Sequence, residues 1–66
     1  MKKMVEFERY DAGEGAKTGR RISVDPETVS VVEDLADTDE ACQIICEHGQ
    51  YTVAHTRAEV LKKLRR

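Results

Sequence analysis

The sequence predicts a small α+β domain: an antiparallel sheet of four to five strands with one C-terminal helix packed on one face. Three observations predict it. Residues 4–10, MVEFERY, alternate apolar and polar side chains at the period of a half-buried strand. Residues 41–55 read as two apolar segments around a His-Gly turn. Thr56-Arg57-Ala58-Glu59 has the spacing of a helix-opening capping box.

In the first strand Val5 and Phe7 share one face, with Glu6 and Glu8 on the other. DAGEGAKTG (11–19) holds three of the four glycines and predicts a mobile loop. RRISV (20–24) follows as a second strand with Ile22 and Val24 inward, pairing with the first as a wide-looped hairpin. Asp25-Pro26-Glu27 admits two continuations. As N-cap, N1 and N2 they would open a helix to Ala36, with Val29, Val32 and Leu35 on one stripe. However, TVSVV (28–32) is β-branched at four of five positions, which favours a turn at 25–28 and then a strand. Residues 37–40 read as a polar loop.

For the hairpin, a His48-Gly49 turn sets Cys46 opposite Tyr51, Ile44 opposite Val53 and Cys42 opposite His55, all on the core face. Ile45 then lies on the other face with Gln43, Thr52 and Ala54, a possible contact surface. In the terminal helix Val60, Leu61 and Leu64 form the apolar stripe. Lys62, Lys63, Arg65 and Arg66 occupy the last turns, where the helix dipole favours cations. The expected core is Val5, Phe7, Ile22, Val24, Ile44, Val53, Val60, Leu61 and Leu64.

At 66 residues the chain supplies one domain, and a chain of this size buries only about 60% of its unfolded surface. Burial against a second copy or another partner would add to so small a core, so a homodimer is a possible state. No segment has the apolar region of a signal peptide or the length of a membrane span. With two cysteines and no secretory signal, the expected compartment is the cytoplasm.

Several constellations invite chemistry and fall short of it. GEGAKTG lacks the glycine that a phosphate-binding loop places before its lysine. Cys42, Cys46, His48 and His55 are zinc-type ligands, but strand positions four apart are ~13 Å apart, too far for one tetrahedral site. Cys42 facing His55 is the single nucleophile–base candidate, in a chain with little room for a substrate pocket. The expectation is a protein that is not an enzyme and carries neither metal nor cofactor.

Charge is the most unusual feature. Residues 1–21 carry a net +2 and residues 57–66 a net +4, while residues 22–56 contain eight carboxylates and no Lys or Arg. These are Asp25, Glu27, Glu33, Asp34, Asp37, Asp39, Glu40 and Glu47. Such a run is commonly a solvated face. It also suits a partner-binding surface that docks on a basic, nucleic-acid-binding groove of another protein, carboxylates standing where phosphates would. The basic helix with Arg20 and Arg21 gives the alternative, a small nucleic-acid-binding regulator.

ISVDPETV, CQIICEHGQYTV and TRAEVLKKL together resemble the FlbD-like family of small flagellar-operon proteins. The likeness spans residues 22–64, with Asp25 where that pattern has Asn before the proline. It implies a small α+β regulator without catalytic residues. In size and charge the chain also resembles phage-encoded inhibitors of the anti-CRISPR type.

Overall fold

The computed structural model describes residues 3–65. Among them are five strands, one single-turn 3-10 helix and one α-helix. The strands are β1 (Val5–Asp11), β2 (Ala16–Val24), β3 (Val29–Leu35), β4 (Thr38–Cys46) and β5 (Gly49–Val53); the helix is α1 (Arg57–Leu64). All pairings are antiparallel, in the order β2-β1-β5-β4-β3. The expected fold class is the one observed.

The two edge strands, β2 and β3, are consecutive in the chain. In a flat sheet of five they would lie ~19 Å apart. The connection has only residues 25–28, and it is tightened by a hydrogen bond from Thr28 N–H to the Asp25 carbonyl (3.0 Å). The sheet therefore curls until Val24 and Val29 enter one core. Pairing runs round the curl and is interrupted between β2 and β3.

The favoured reading, a turn at 25–28 and then a strand, is the one observed, and the helix to Ala36 does not form. Asp25 caps one 3-10 turn (Pro26–Thr28) by accepting from Glu27 N–H (3.0 Å), and β3 begins at Val29. The β-branched run prevails because its side chains pack on a pleated surface more readily than on a helix.

The glycine-rich segment is shorter as a loop than its composition suggests. Only residues 12–15 form the turn; Asp11 closes β1 and Ala16–Gly19 open β2. Asp11 organises this turn. Its Oδ1 accepts from Gly13 N–H (2.8 Å) and Glu14 N–H (3.2 Å), and its carbonyl accepts from Gly15 N–H (2.8 Å). Further along, the pairing passes from Glu8–Arg21 to Tyr10–Lys17, so three residues of β2 stand against Arg9 alone. Gly19, at φ 79°, permits that bulge.

The 37–40 loop is likewise corrected. The turn is Ala36-Asp37, and Thr38–Glu40 belong to β4, with Thr38 paired to Leu35. In the β4–β5 hairpin the turn is Glu47-His48 rather than His48-Gly49. Cys46 faces Gly49, Ile44 faces Tyr51 and Cys42 faces Val53. Glu47 N–H donates to the Thr28 carbonyl (3.0 Å), which ties the turn to the 3-10 segment. Gly49 does not adopt positive φ, so the turn makes no use of its glycine's freedom. Moving a turn by one residue shifts each partner by two and preserves the faces. Ile44, Cys42 and Val53 thus stay inward, while His55 leaves the ladder.

The core comprises Phe7, Val24, Val29, Cys42, Ile44, Val53, Val60 and Leu64, with Val5, Ile22, Val32 and Cys46 packed partly against it. Leu61, expected in the core, is half-buried, whereas Val29 and Ala41 are buried beyond expectation, and Cys42 is buried as its place on the core face implied.

Helix α1 opens with the capping box in full. Thr56 Oγ1 accepts from Glu59 N–H (3.2 Å), and Glu59 Oε1 accepts from Thr56 N–H (3.1 Å). The Thr56 N–H, with the Thr56 side chain adding to it, holds the Glu59 carboxyl below its usual range. Arg65, at φ 61°, closes the helix; Arg66 lies outside the described residues. The helix is fastened at both ends. Arg57 pairs with Asp34 of β3 (3.7 Å), while Lys63 donates to the Glu6 carbonyl of β1 (3.0 Å) and lies over the Phe7 ring (5.3 Å).

Candidate partner-binding surface

The curl distributes the acidic block over two ends of the molecule. Asp25, Glu27 and Glu47 gather at one end, where the 3-10 turn meets the β4–β5 turn. At the other end are Asp34, Asp37, Asp39 and Glu40, where β3 turns into β4. Seven-residue β3 separates these ends by ~20 Å. That exceeds two Debye lengths at physiological salt, about 8 Å each, so the acidic block forms two patches and not one.

Within the patches the roles differ. The Asp25 carboxylate is engaged in capping the 3-10 turn. Asp34 is opposite Cys42 and bound to Arg57. Glu33 is opposite Gln43 on the outer face, where Val31 and Ile45 form a neighbouring cross-strand pair and Val31 is 42% exposed. Glu27, Glu33, Asp37, Asp39, Glu40 and Glu47 are exposed and form no ion pair among the described residues. Four of these six (Glu33, Asp37, Asp39 and Glu40) lie on the β3–β4 hairpin.

The Asp37 turn borders the glycine-rich turn. Tyr10, Ala12, Gly15, Leu35, Asp37 and Thr38 share a shallow concavity there. The β1–β2 hairpin has a second concavity, flanked by Arg9 and Arg20. The remaining cations of that hairpin are committed locally, Lys17 to Glu8 (3.9 Å) and Arg21 to Glu6 (3.3 Å).

The structure also places the residues of three chemical constellations. In the glycine-rich turn the Asp11 carboxylate already takes the amide hydrogens that would hold a phosphate. Cys42 does not face His55, because the register places Val53 opposite it. Burial, with the Asp34 charge adding to it, pushes the Cys42 thiol up to about 11. Among the described residues no three His, Cys, Asp or Glu side chains converge as a metal site would require. No helix among them is long and apolar enough to cross a membrane.

The thiols differ in a measurable way. Cys42 is fully buried; Cys46 is half-buried and borders a concavity with His48 and Tyr51. At pH 8 a group titrating near 11 is thiolate in about one molecule per thousand. A thiol-reactive chromophore should therefore count one cysteine per native chain and two after unfolding in urea. Equal native rates for both would contradict the burial of Cys42.

Comparison with known proteins gives no relative: no family model, curated protein or solved structure matches this chain. The resemblance of residues 22–64 to FlbD-like proteins therefore carries no family assignment.

Two features of the surface have no signature in the linear sequence. Arg57 neutralises Asp34 from 23 positions away, and the 3-10 turn recruits Glu47 beside Glu27. Only the curled sheet brings these segments together.

Proposed function

We propose that this chain is a non-enzymatic protein-binding regulator whose β3–β4 hairpin docks on a cationic site of a partner protein. The observation that carries the reading is the state of Glu33, Asp37, Asp39 and Glu40. They stand exposed on one hairpin without an intramolecular cation among the described residues. Carboxylates so placed repel one another in the free protein, and a basic partner relieves that repulsion. A groove that ordinarily holds nucleic-acid phosphates offers such a charge. Occupying it would make the chain an inhibitor, and the anti-CRISPR-type role is the finest form of the proposal. That form rests on charge and size alone.

The alternative is nucleic-acid binding through the basic helix α1 with Arg20 and Arg21. Arg57 is paired with Asp34, and Lys63 is held by the Glu6 carbonyl and the Phe7 ring. Lys62 and Arg65 remain as uncommitted exposed cations on the described helix and its cap, and Arg20 of β2 is the further one that this reading would use.

The test is affinity capture from a lysate by the wild-type chain and by the triple variant D37K/D39K/E40K. The wild type should retain basic proteins that heparin displaces and that elute as salt rises from 50 to 300 mM, a range over which the Debye length roughly halves. The triple variant should keep its circular dichroism spectrum and capture none of them. Identical capture and elution by both proteins would overturn the proposal. A gel shift of mixed DNA by the wild type would instead favour the nucleic-acid reading.

A further inference from the structure

The curl closes through one short seam. Between β1 and β5 the register has a single partner pair, Arg9–Val53. This seam joins the β1–β2 hairpin to the three-stranded β3–β4–β5 unit. Continuing the register would set Glu8 opposite Ala54, and in a regular antiparallel ladder such a pair can exchange two backbone hydrogen bonds. Ala54 N–H does donate to the Glu8 carbonyl (2.8 Å). Glu8 N–H, however, donates to His55 Nε2 (3.3 Å). The imidazole has taken the place of a ladder carbonyl.

We propose that His55 is an acid-released latch on this seam: as an acceptor it holds β1 to the end of β5, and on protonation it lets go. The reasoning is one of hydrogen-bond polarity. To accept from Glu8 N–H, the neutral ring must keep its proton on Nδ1. The imidazolium carries hydrogen on both nitrogens and can only donate. Adding a proton at Nε2 sets N–H against N–H, and the bond is lost without a substitute from the same ring.

The surroundings oppose that proton in the folded state. Burial is the leading influence, and Lys63 of α1 adds to it, so the imidazole titrates below its ordinary range. Lys17 of β2 acts in the same direction, while Glu59 of α1 and Glu8 of β1 oppose it. The Phe7 ring meets the imidazole edge-on at 5.6 Å and 70°. Because the folded pKa is depressed, the unfolded or opened state binds more protons below pH ~6.5. The latch is fully made above that pH and weakens as pH falls through the lowered value.

Its release loosens β1 at the seam, where the bond from Ala54 N–H to the Glu8 carbonyl and the Arg9–Val53 pair remain, and leaves the β3–β4–β5 unit paired. The device is distinct from the acidic docking surface and does not depend on it.

The test is amide hydrogen exchange of wild-type protein and His55→Gln at pH 7.5 and 5.0, corrected for the intrinsic pH dependence of exchange. Glutamine offers a neutral acceptor that does not titrate. In the wild type, protection at Glu8 and Ala54 should fall about fivefold at pH 5.0, the factor one net hydrogen bond represents. Amides of the β3–β4 ladder should hold, and H55Q should show no pH-dependent loss at Glu8. Unchanged wild-type protection, or an equal loss in H55Q, would overturn the latch. If H55Q does not fold, the Glu8 amide resonance of the wild type decides. It must titrate with the midpoint of the His55 ring and not with that of His48; any other midpoint refutes the proposal.

Discussion

Replacing Phe7 with alanine is expected to leave much of the protein unfolded at 25 °C. Phe7 is 1% exposed and is the single phenylalanine in the chain. It fills the centre of the curl beneath α1, touching the His55 ring and lying under the Lys63 ammonium. Truncating a buried phenylalanine costs about 3–5 kcal/mol through lost transfer energy and the cavity left behind. A 66-residue domain has about 3–10 kcal/mol of stability in total. The loss is thus comparable with the whole. Urea titration followed by circular dichroism should show the F7A midpoint displaced to or below zero denaturant. Val31→Ala, on the exposed outer face, should stay within about 0.5 kcal/mol of wild type. Similar midpoints for the two variants would mean that the core lies elsewhere.

The sequence makes some of this architecture legible and conceals the rest for physical reasons. Alternation at Val5–Phe7 and Ile22–Val24 is local, and so is the Thr56–Glu59 capping box. Such signals survive in a linear reading because each depends on residues two to four apart. The 3-10 turn was half legible: Asp25 and Pro26 announce a cap, but only the β-branched residues after them indicate how soon the helix ends. The hairpin register misled because glycine is the strongest turn signal in CEHGQY, whereas the turn is fixed by the long-range bond from Glu47 N–H to Thr28. A His48-Gly49 turn sets His55 opposite Cys42, the ladder position that Val53 fills. The acidic block was visible as composition. Its division into two ends depends on strand direction, because residues adjacent in sequence at Asp34 and Asp37 lie a full strand length from Glu27. Single-sequence charge counting holds no information on that distance.

Introducing a carboxylate at Val60 is expected to abolish cooperative folding, and it tests whether α1 is an integral wall of the core. An eight-residue helix does not persist alone in water, so α1 exists because it docks. Val60 is fully buried in the cluster with Phe7, Ile44 and Val53, and Leu64 extends the same stripe one turn on. Val60→Asp sets a charge there with no cation placed to meet it. Arg57 is turned to Asp34, and Lys63 to the Glu6 carbonyl. An uncompensated buried charge costs several kcal/mol, and the alternative, undocking the helix, uncovers the apolar stripe and the Phe7 face together. Either route exceeds what so small a domain withstands. Ala58→Asp is the matched control. That site is exposed and lies in the first turn, where the helix dipole favours an anion, so its stability should change by no more than about 0.5 kcal/mol. The measurement is thermal unfolding by far-ultraviolet circular dichroism. V60D should show no sigmoidal transition, with A58D close to wild type. A V60D protein that kept a cooperative transition and the sheet signal would show that the curled sheet is stable without its helix.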